Sequence, residues 1–397
     1  MAKKKATPTQ SKKKKKTDLA KVASDLKTVL KEDHVVELDD STLKESIPHI
    51  STGAIALDYL IGGRENKHGV RPCPGIPRGR MTMIYGLPGA GKTTIALQTC
   101  AVICAEGGTA IYVDWENEVD PAYASALGVP ISDKSSFLLV QPDTLEAGLI
   151  FMSRMAAEGV DLIVMDSVGA AVPKAQFEKQ DGETMAIGLN ARMWSTYLPK
   201  FKKVVKKYDT AVIAISQLRS KIGGMGGFGG PTHEPQGGKA WRFYNSLQIM
   251  LKVIGTEKGK VWNPIQGKYV DSVIGSKVRA KLDKCKVSSS LKNEIDFFLI
   301  SGSGVDNSRT VIELGISTGV IKKKGAWFSW QGPEGEIRSQ GLPAFIDAVE
   351  DHIDAIFASV RPYLSDPAQR EESADEEAVD DSLADDDLNS MLEDLGM

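Results

Sequence analysis

Cysteine is scarce, with only Cys73, Cys100, Cys104 and Cys285 in a chain of 397 residues. Their spacing suits neither a disulfide framework nor a zinc site. Cys100 and Cys104 share a helix face at i, i+4, but apolar neighbours surround them, and they read as buried thiols. No secretory apolar segment follows the N-terminal lysines, and no apolar run is long enough to span a bilayer. Secreted disulfide-rich, zinc-module and membrane-spanning classes therefore drop out, and a cytoplasmic protein is expected. Net charge is also low, −3 at pH 7.

That near-neutrality hides an asymmetry. Residues 366–397 hold thirteen acids against Arg370, a net −12, so the whole-chain value of −3 leaves +9 on residues 1–365. Eight of the positive charges lie between Lys3 and Lys16. A basic body with an acidic tail points to a polyanion partner for which the tail could compete; the plainer alternative is two solvated ends. Leu383, Leu388, Leu392 and Leu395 make the tail amphipathic enough to dock on a partner protein.

With 42% hydrophobic residues, the chain can bury one large core plus smaller modules. Residues 1–16 read as a disordered lysine-rich tail, and 17–50 as a helix and strand that need an external surface to pack on. Residues 51–303 alternate strand and helix, the pattern of a mostly parallel α/β sheet. The expected strands are Met81–Tyr85, Ala110–Asp114, Leu162–Asp166, Ala211–Ser216, Leu247–Val253, Arg279–Lys284 and Ile295–Ile300. Helices are expected at Lys92–Ala105, Leu145–Glu158 and Leu189–Tyr208. Gln176–Ala186 and Ile222–Gly238 resist assignment; the second holds eight glycines in seventeen residues. Residues 304–365 form a small mixed module with a helix near Leu342–Val360, and 366–397 the acidic tail.

The run Gly86-Leu87-Pro88-Gly89-Ala90-Gly91-Lys92-Thr93 matches G-x-x-x-x-G-K-[ST]. An apolar strand precedes it and a helix follows, the context a phosphate loop requires. Its backbone N–H groups would wrap phosphates, Lys92 would reach the β- and γ-phosphates, and Thr93 would hold Mg²⁺. Asp166 closes an apolar strand where a second Mg²⁺-shell carboxylate belongs. Glu116, just past another strand end, could activate water, and Gln217 would lie near the γ-phosphate. Ligands of open α/β sheets bind at such carboxyl edges.

Further residues extend the match well beyond a phosphate loop. Ser51-Thr-Gly-Ala-Ile-Ala-Leu57-Asp58, Gly75-Ile-Pro-Arg-Gly-Arg80, Asp114-Trp-Glu116, Val119-Asp-Pro-Ala-Tyr123-Ala, Asp166-Ser-Val168, Gly188-Leu-Asn-Ala-Arg-Met193, Gln217-Leu-Arg-Ser-Lys-Ile-Gly223, Gly237-Gly238 and Gly325-Ala-Trp-Phe-Ser-Trp330 stand in order. In these the chain resembles the RecA family of DNA recombinases, from about Val22 to Leu364. The resemblance implies a RecA-like P-loop ATPase core with an N-terminal polymerisation arm and a small α+β C-terminal module. It implies ATP and Mg²⁺ as cofactors and a helical filament of copies on single-stranded DNA that takes in duplex DNA for strand exchange and repair. A loader or single-strand-binding protein would meet the acidic tail.

Roles follow from the same resemblance. Lys92, Glu116 and Gln217 would act in catalysis, with Lys284 and Lys286 reaching in from a neighbouring copy. Residues Gly86 to Thr94, with Asp120 and Tyr123 at the adenine, would hold the nucleotide, and Thr93 and Asp166 the metal. Ile187, Arg192, Ser195, Arg219, Lys221, Ile222, Gly237 and Gly238 would contact DNA, and Arg242 and Phe243 would form the interface. Arg64–Pro74 stands outside the family pattern, and Pro199 replaces an expected basic residue. Two rival readings share this core: a hexameric helicase, and an ATP-switched DNA coat without turnover.

Overall fold

The computed structural model describes residues 40–178, 188–220, 233–264, 266–289 and 293–365. The lysine-rich tail, the arm before Asp40, the acidic tail, and Ile187, Lys221 and Ile222 lie outside the described residues. Two units are present. Of the first, which ends at Glu45, a 3-10 turn at Asp40–Leu43 is described. The second begins at Ser46 and carries everything below.

In chain order its strands are β1 (His49–Ile50), β2 (Ile76–Pro77), β3 (Met81–Gly86), β4 (Ala110–Asp114), β5 (Phe137–Val140), β6 (Leu162–Asp166), β7 (Ala211–Ser220), β8 (His233–Pro235), β9 (Leu247–Asn263), β10 (Lys268–Cys285), β11 (Glu294–Ile300), β12 (Gly304–Asp306), β13 (Ile321–Lys324), β14 (Trp327–Gly332) and β15 (Gly335–Gln340). Its α-helices are α1 (Ile55–Gly62), α2 (Lys92–Ala105), α3 (Pro121–Ala126), α4 (Leu145–Ala157), α5 (Lys174–Phe177), α6 (Leu189–Lys207), α7 (Ala240–Tyr244), α8 (Asn307–Ser317), α9 (Leu342–Ala348) and α10 (Ile353–Ser365).

One large sheet runs β12-β11-β10-β9-β3-β7-β6-β4-β5, with β8 paired to β7. From β9 to β5 neighbours are parallel; from β9 to β12 they are antiparallel. Strand β3, Met-Thr-Met-Ile-Tyr-Gly, is buried at every position, as a central parallel strand covered on both faces must be. Alternate residues enter two cores. Ile84, Tyr112 and Val164 face α2, while Met83, Val113 and Met165 face α4 and α6. In α6, Trp194, Leu198, Phe201 and Val205 are buried at i, i+4, i+7 and i+11, one helix stripe. The C-terminal module shares the α2-side core through Phe328, Trp330 and Phe345.

Three features differ from the sequence-based expectation. Strand β5 was not expected; Phe137-Leu-Leu-Val is too short a run for periodicity to type. The helix expected over Leu342–Val360 is two helices around a 3-10 turn at Glu350–His352. There the Val349 N–H is shared between the Phe345 and Ile346 carbonyls, which tightens the turn and ends α9. The largest difference is in β9 and β10, expected as short strands but running 17 and 18 residues. Their pairing continues from Val253↔Val278 out to Asn263↔Lys268, broken by bulges, while β11 stops at Ile300 opposite Gly275. The stretch beyond is a two-stranded ribbon.

Arg64–Pro74 folds as a turn held by Asn66, with Arg71 stacked 3.9 Å over Tyr59 and donating to the Gly63 carbonyl at 2.7 Å. Asp58 ties down the chain entering α1. It accepts from Ser51 Oγ at 2.6 Å, and from the Thr52 N–H and hydroxyl at 3.0 and 2.7 Å. Burial still pushes its carboxyl up to about 6, against the pull of those donors. A raised folded-state pKa gives stability that is full below about pH 4 and is lost as pH rises through about 6. Asp58→Asn should therefore gain about 1 kcal/mol on wild type between pH 5 and pH 7.5. Urea melts at the two pH values measure this, and parallel pH dependence of the two proteins would refute it.

Candidate active site

The parallel strands bring their carboxyl ends to one edge, with Gly86 beside Gln217 and Asp114 beside Asp166. From that edge Gly86 to Thr93 turns out of β3 and into α2. Gly91 has φ +85°, and a Cβ there would collide with the Leu299 side chain, so the loop tolerates only glycine. Lys92 opens α2 and is 8% exposed despite its charge, its Nζ donating to the Leu87 carbonyl at 2.9 Å. Burial lowers its pKa, and the nearby charges of Asp166 and Glu116 oppose that shift.

Thr93 Oγ1 donates to Asp166 Oδ2 at 2.9 Å, and the Tyr112 hydroxyl donates to the same oxygen at 2.6 Å. Burial pushes Asp166 up to about 6; these two donors oppose the shift, and Glu116 and Asp114 add to it with like charge. A hydroxyl and a buried, crowded carboxylate at this spacing form a donor set for a hard divalent cation, whose charge would relieve the crowding.

Glu116 is held from two sides. Its Oε1 accepts from Ser167 Oγ at 2.5 Å and from Gln217 Nε2 at 3.1 Å. Behind it, Asp114 Oδ1 accepts the backbone N–H groups of Glu116 and Asn117 at 3.0 and 2.8 Å, fixing a turn with Asn117 at φ +55°. The expected base and the expected γ-phosphate residue thus share one hydrogen bond. Ser167, Tyr112 and Asp114 were not singled out in the sequence for this. Tyr112 lies two residues before Asp114, on the same face of β4, and that alternation is the signal that could have found it.

A cleft of about 250 Å³ opens beside the loop, walled by Gly89, Gly91, Thr94 and Tyr123 on one side and Ser276, Leu299 and Ser301 on the other. Tyr123 and Thr94 hydroxyls lie 2.7 Å apart. Asp120 does not line the cleft; it caps α3 by accepting the Ala122 N–H at 2.9 Å. The second wall comes from β10 and β11, through residues to which the sequence reading gave no nucleotide role.

Lys284 and Lys286 lie at the other end of the sheet. Lys284 pairs with Gln248 and Cys285 with Leu247, beside Thr82 at the start of β3. They therefore cannot meet Lys92 of the same chain. Lys284 Nζ donates to the Arg242 carbonyl at 2.6 Å. Burial lowers its pKa, and the positive charges of Lys286, Lys202 and Arg242 lower it further. Phe243, next to this cationic patch, is 74% exposed.

Of the expected DNA contacts, Arg192 and Ser195 lie exposed on α6. Gly237 and Gly238 lead into α7, and a Cβ on Gly238 would come within 2.7 Å of Ala191 Cβ, so this turn presses against the start of α6. The Gln236 N–H donates to the Gln217 carbonyl at 3.1 Å, linking that turn to the residue expected near the γ-phosphate. The backbone of Arg219 continues β7, and its side chain lies outside the described residues.

The sequence matches the RecA N-terminal domain family over residues 17–306. It is 38% identical to a protein named Protein RecA from Thioalkalivibrio sulfidiphilus, over 75% of this chain and 79% of that one. A Protein RecA from Laribacter hongkongensis is 37% identical, over 75% of this chain and 77% of that one. A third Protein RecA, from Bordetella avium, is 37% identical over 79% of this chain and 81% of that one.

Proposed function

This chain belongs to the RecA family, and on that premise we propose that it is a DNA-dependent ATPase that polymerises on single-stranded DNA and catalyses homologous pairing and strand exchange. The observation that carries the catalytic part is Glu116, fixed by Ser167 and Gln217 at the edge that also holds Lys92 and Asp166. The family binds nucleotides; ATP with Mg²⁺ is the specific pair this site fits. A bound Mg²⁺ would supply charge neutralisation at the phosphates. The chain's own groups do the rest. Loop N–H groups and Lys92 would orient the phosphates, Thr93 and Asp166 would hold the metal, and Tyr123 and Thr94 would border the base. Glu116 accepts the proton of the attacking water.

The cationic patch of Lys284, Lys286 and Arg242 supports a filament in which each copy completes its neighbour's site. Its place at the opposite end of the strands keeps it away from this chain's own phosphate loop and turns it to another chain's phosphates. Gln217 carries the nucleotide state toward DNA, because its side chain bonds Glu116 and its carbonyl holds the turn before Gly237. Arg192, Ser195 and the two glycines border the face where DNA would lie; Ile187, Arg219, Lys221 and Ile222 are further DNA contacts of this proposal. Among the described residues no helix is long and apolar enough to cross a membrane; we place the protein in the cytoplasm. A loader or single-strand-binding protein for the acidic tail is part of the same proposal.

The deciding experiment measures ATP turnover of the full chain with and without single-stranded DNA, then strand exchange between a circular single strand and a linear duplex. Turnover stimulated by DNA together with exchange is expected. Turnover with strand unwinding and no exchange would favour a helicase.

A further inference from the structure

Arg64–Pro74 stands outside the family pattern, and the proposed mechanism gives it no part. Its tip is closed by Asn66, whose Oδ1 accepts the His68 and Val70 N–H groups at 2.9 and 3.2 Å. The limbs do more than close a loop. The Arg64 N–H donates to the Ser289 carbonyl at 2.9 Å, and the Pro72 carbonyl accepts the Ile47 N–H at 2.7 Å. At the foot, a Cβ on Gly63 would lie 2.6 Å from the Ser289 carbonyl oxygen, so the insertion and the stretch after β10 touch backbone to backbone.

Helix α1 ends at this foot, and the last carbonyls of a helix have no partner inside it. Groups from outside the helix supply them here. Ser288 Oγ donates to the Ile61 carbonyl at 2.5 Å. Arg71 Nη1 donates to the Gly63 carbonyl at 2.7 Å and, at 3.4 Å, to that of Tyr59. Its charge also suits the negative end of the helix dipole. Arg71 is no solvated surface cation: its side chain is 11% exposed and stacks 3.9 Å over the Tyr59 ring. Tyr59 is fixed in turn from α10, by an edge contact with Phe357 at 5.7 Å and by its hydroxyl bond to the Arg361 carbonyl at 3.1 Å.

What this arrangement holds is the chain just past the neighbour-facing lysines. Strand β10 ends at Cys285, so Lys286 lies beyond its last paired residue. Ser288, two residues on, is tied to α1, and its Oγ also lies 3.3 Å from Cys285 Sγ. Val287 between them is buried. Residues foreign to the family pattern thus hold a segment that the pattern requires. A charge aligned in advance acts on a phosphate without the entropic cost of being placed there, and a small misplacement forfeits much of the rate. We propose that the insertion is a positioning segment for Lys284 and Lys286. Arg71 locks the end of α1, and that end holds Ser288 and Ser289, so that the lysines stand ready for the adjacent copy's nucleotide. The proposal rests on the filament reading above, in which each copy completes its neighbour's site.

The test uses the full-length chain on single-stranded DNA and measures ATP turnover per copy. Arg71→Met keeps an apolar stem over Tyr59 and removes the guanidinium; turnover should fall about tenfold. Ser288→Ala breaks the same link from the other side and should lower turnover about threefold. It carries the test if a thermal melt shows that Arg71→Met does not fold. The readout that a merely structural role would not move is a mixed assembly. Each variant is diluted into excess Glu116→Gln protein, which is expected to bind nucleotide and keep its lysines while hydrolysing little. Intact lysines of the neighbours then complete the variant's own cleft, and its turnover should return to that of wild-type copies diluted in the same way. Lys284→Ala with Lys286→Ala, diluted likewise, should also be restored. If that double variant is not restored, the shared-site reading falls and the insertion proposal with it. If it is restored while Arg71→Met and Ser288→Ala stay slow, or if both of these match wild type undiluted, the insertion assignment alone is wrong.

Discussion

Lys92→Ala should abolish DNA-stimulated ATP turnover, by about 10³-fold or more, in a protein that still folds. Lys92 is the buried cation between two carboxylates, Asp166 and Glu116, whose charges oppose the fall in its pKa. Without it, the negative charge of the phosphates would meet two uncompensated acids in a site shielded from water. Phosphoryl transfer depends on positioning and charge neutralisation, so little catalysis should remain. Lys92→Arg should recover only part of it, because the planar guanidinium cannot repeat the single Nζ contact to the Leu87 carbonyl. Phosphate release assays with saturating oligonucleotide give the rate, and a thermal melt confirms folding. Turnover within tenfold of wild type would remove Lys92 from the mechanism.

Glu116→Gln should separate binding from chemistry. Glutamine has the same shape, and its carbonyl oxygen can still accept from Ser167 and Gln217, so the local network and nucleotide affinity should persist. It cannot take a proton. Hydrolysis should fall by about 10²- to 10⁴-fold, and filaments formed with ATP should remain on DNA long after wild-type filaments have dissociated. Single-turnover hydrolysis and filament lifetimes by electron microscopy measure the two effects. Wild-type hydrolysis by this variant would mean that another group activates the water.

The parts of this site that could be read in the sequence are those whose chemistry imposes a local pattern. A phosphate loop needs its glycines and lysine at fixed spacing, and a buried parallel strand needs a continuous apolar run. Lys92, Thr93, Asp166 and the strands around them were therefore visible. Ser167 and Tyr112 were not, because their roles depend on which strands become neighbours, and β4 meets β6 only in the folded sheet. The cleft wall from Leu299 and Ser301 lies some two hundred residues beyond the loop it faces, and no spacing rule links the two. The ribbon was missed for a different reason. Polar and apolar residues mix on both its faces, so the period-two signal that marks a half-buried strand is absent.

The separation of Lys92 from Lys284 and Lys286 across the sheet has a consequence for kinetics. If each nucleotide is completed by the next copy's lysines, the two ends of an assembly are chemically unequal: one terminal copy holds a nucleotide that no neighbour's lysine reaches. An assembly of n copies would then contain n − 1 competent sites. Turnover per copy should climb steeply over the first few additions and flatten afterwards, and loss of subunits should be faster at one end than at the other. Short oligonucleotides would then give sluggish hydrolysis even when fully bound.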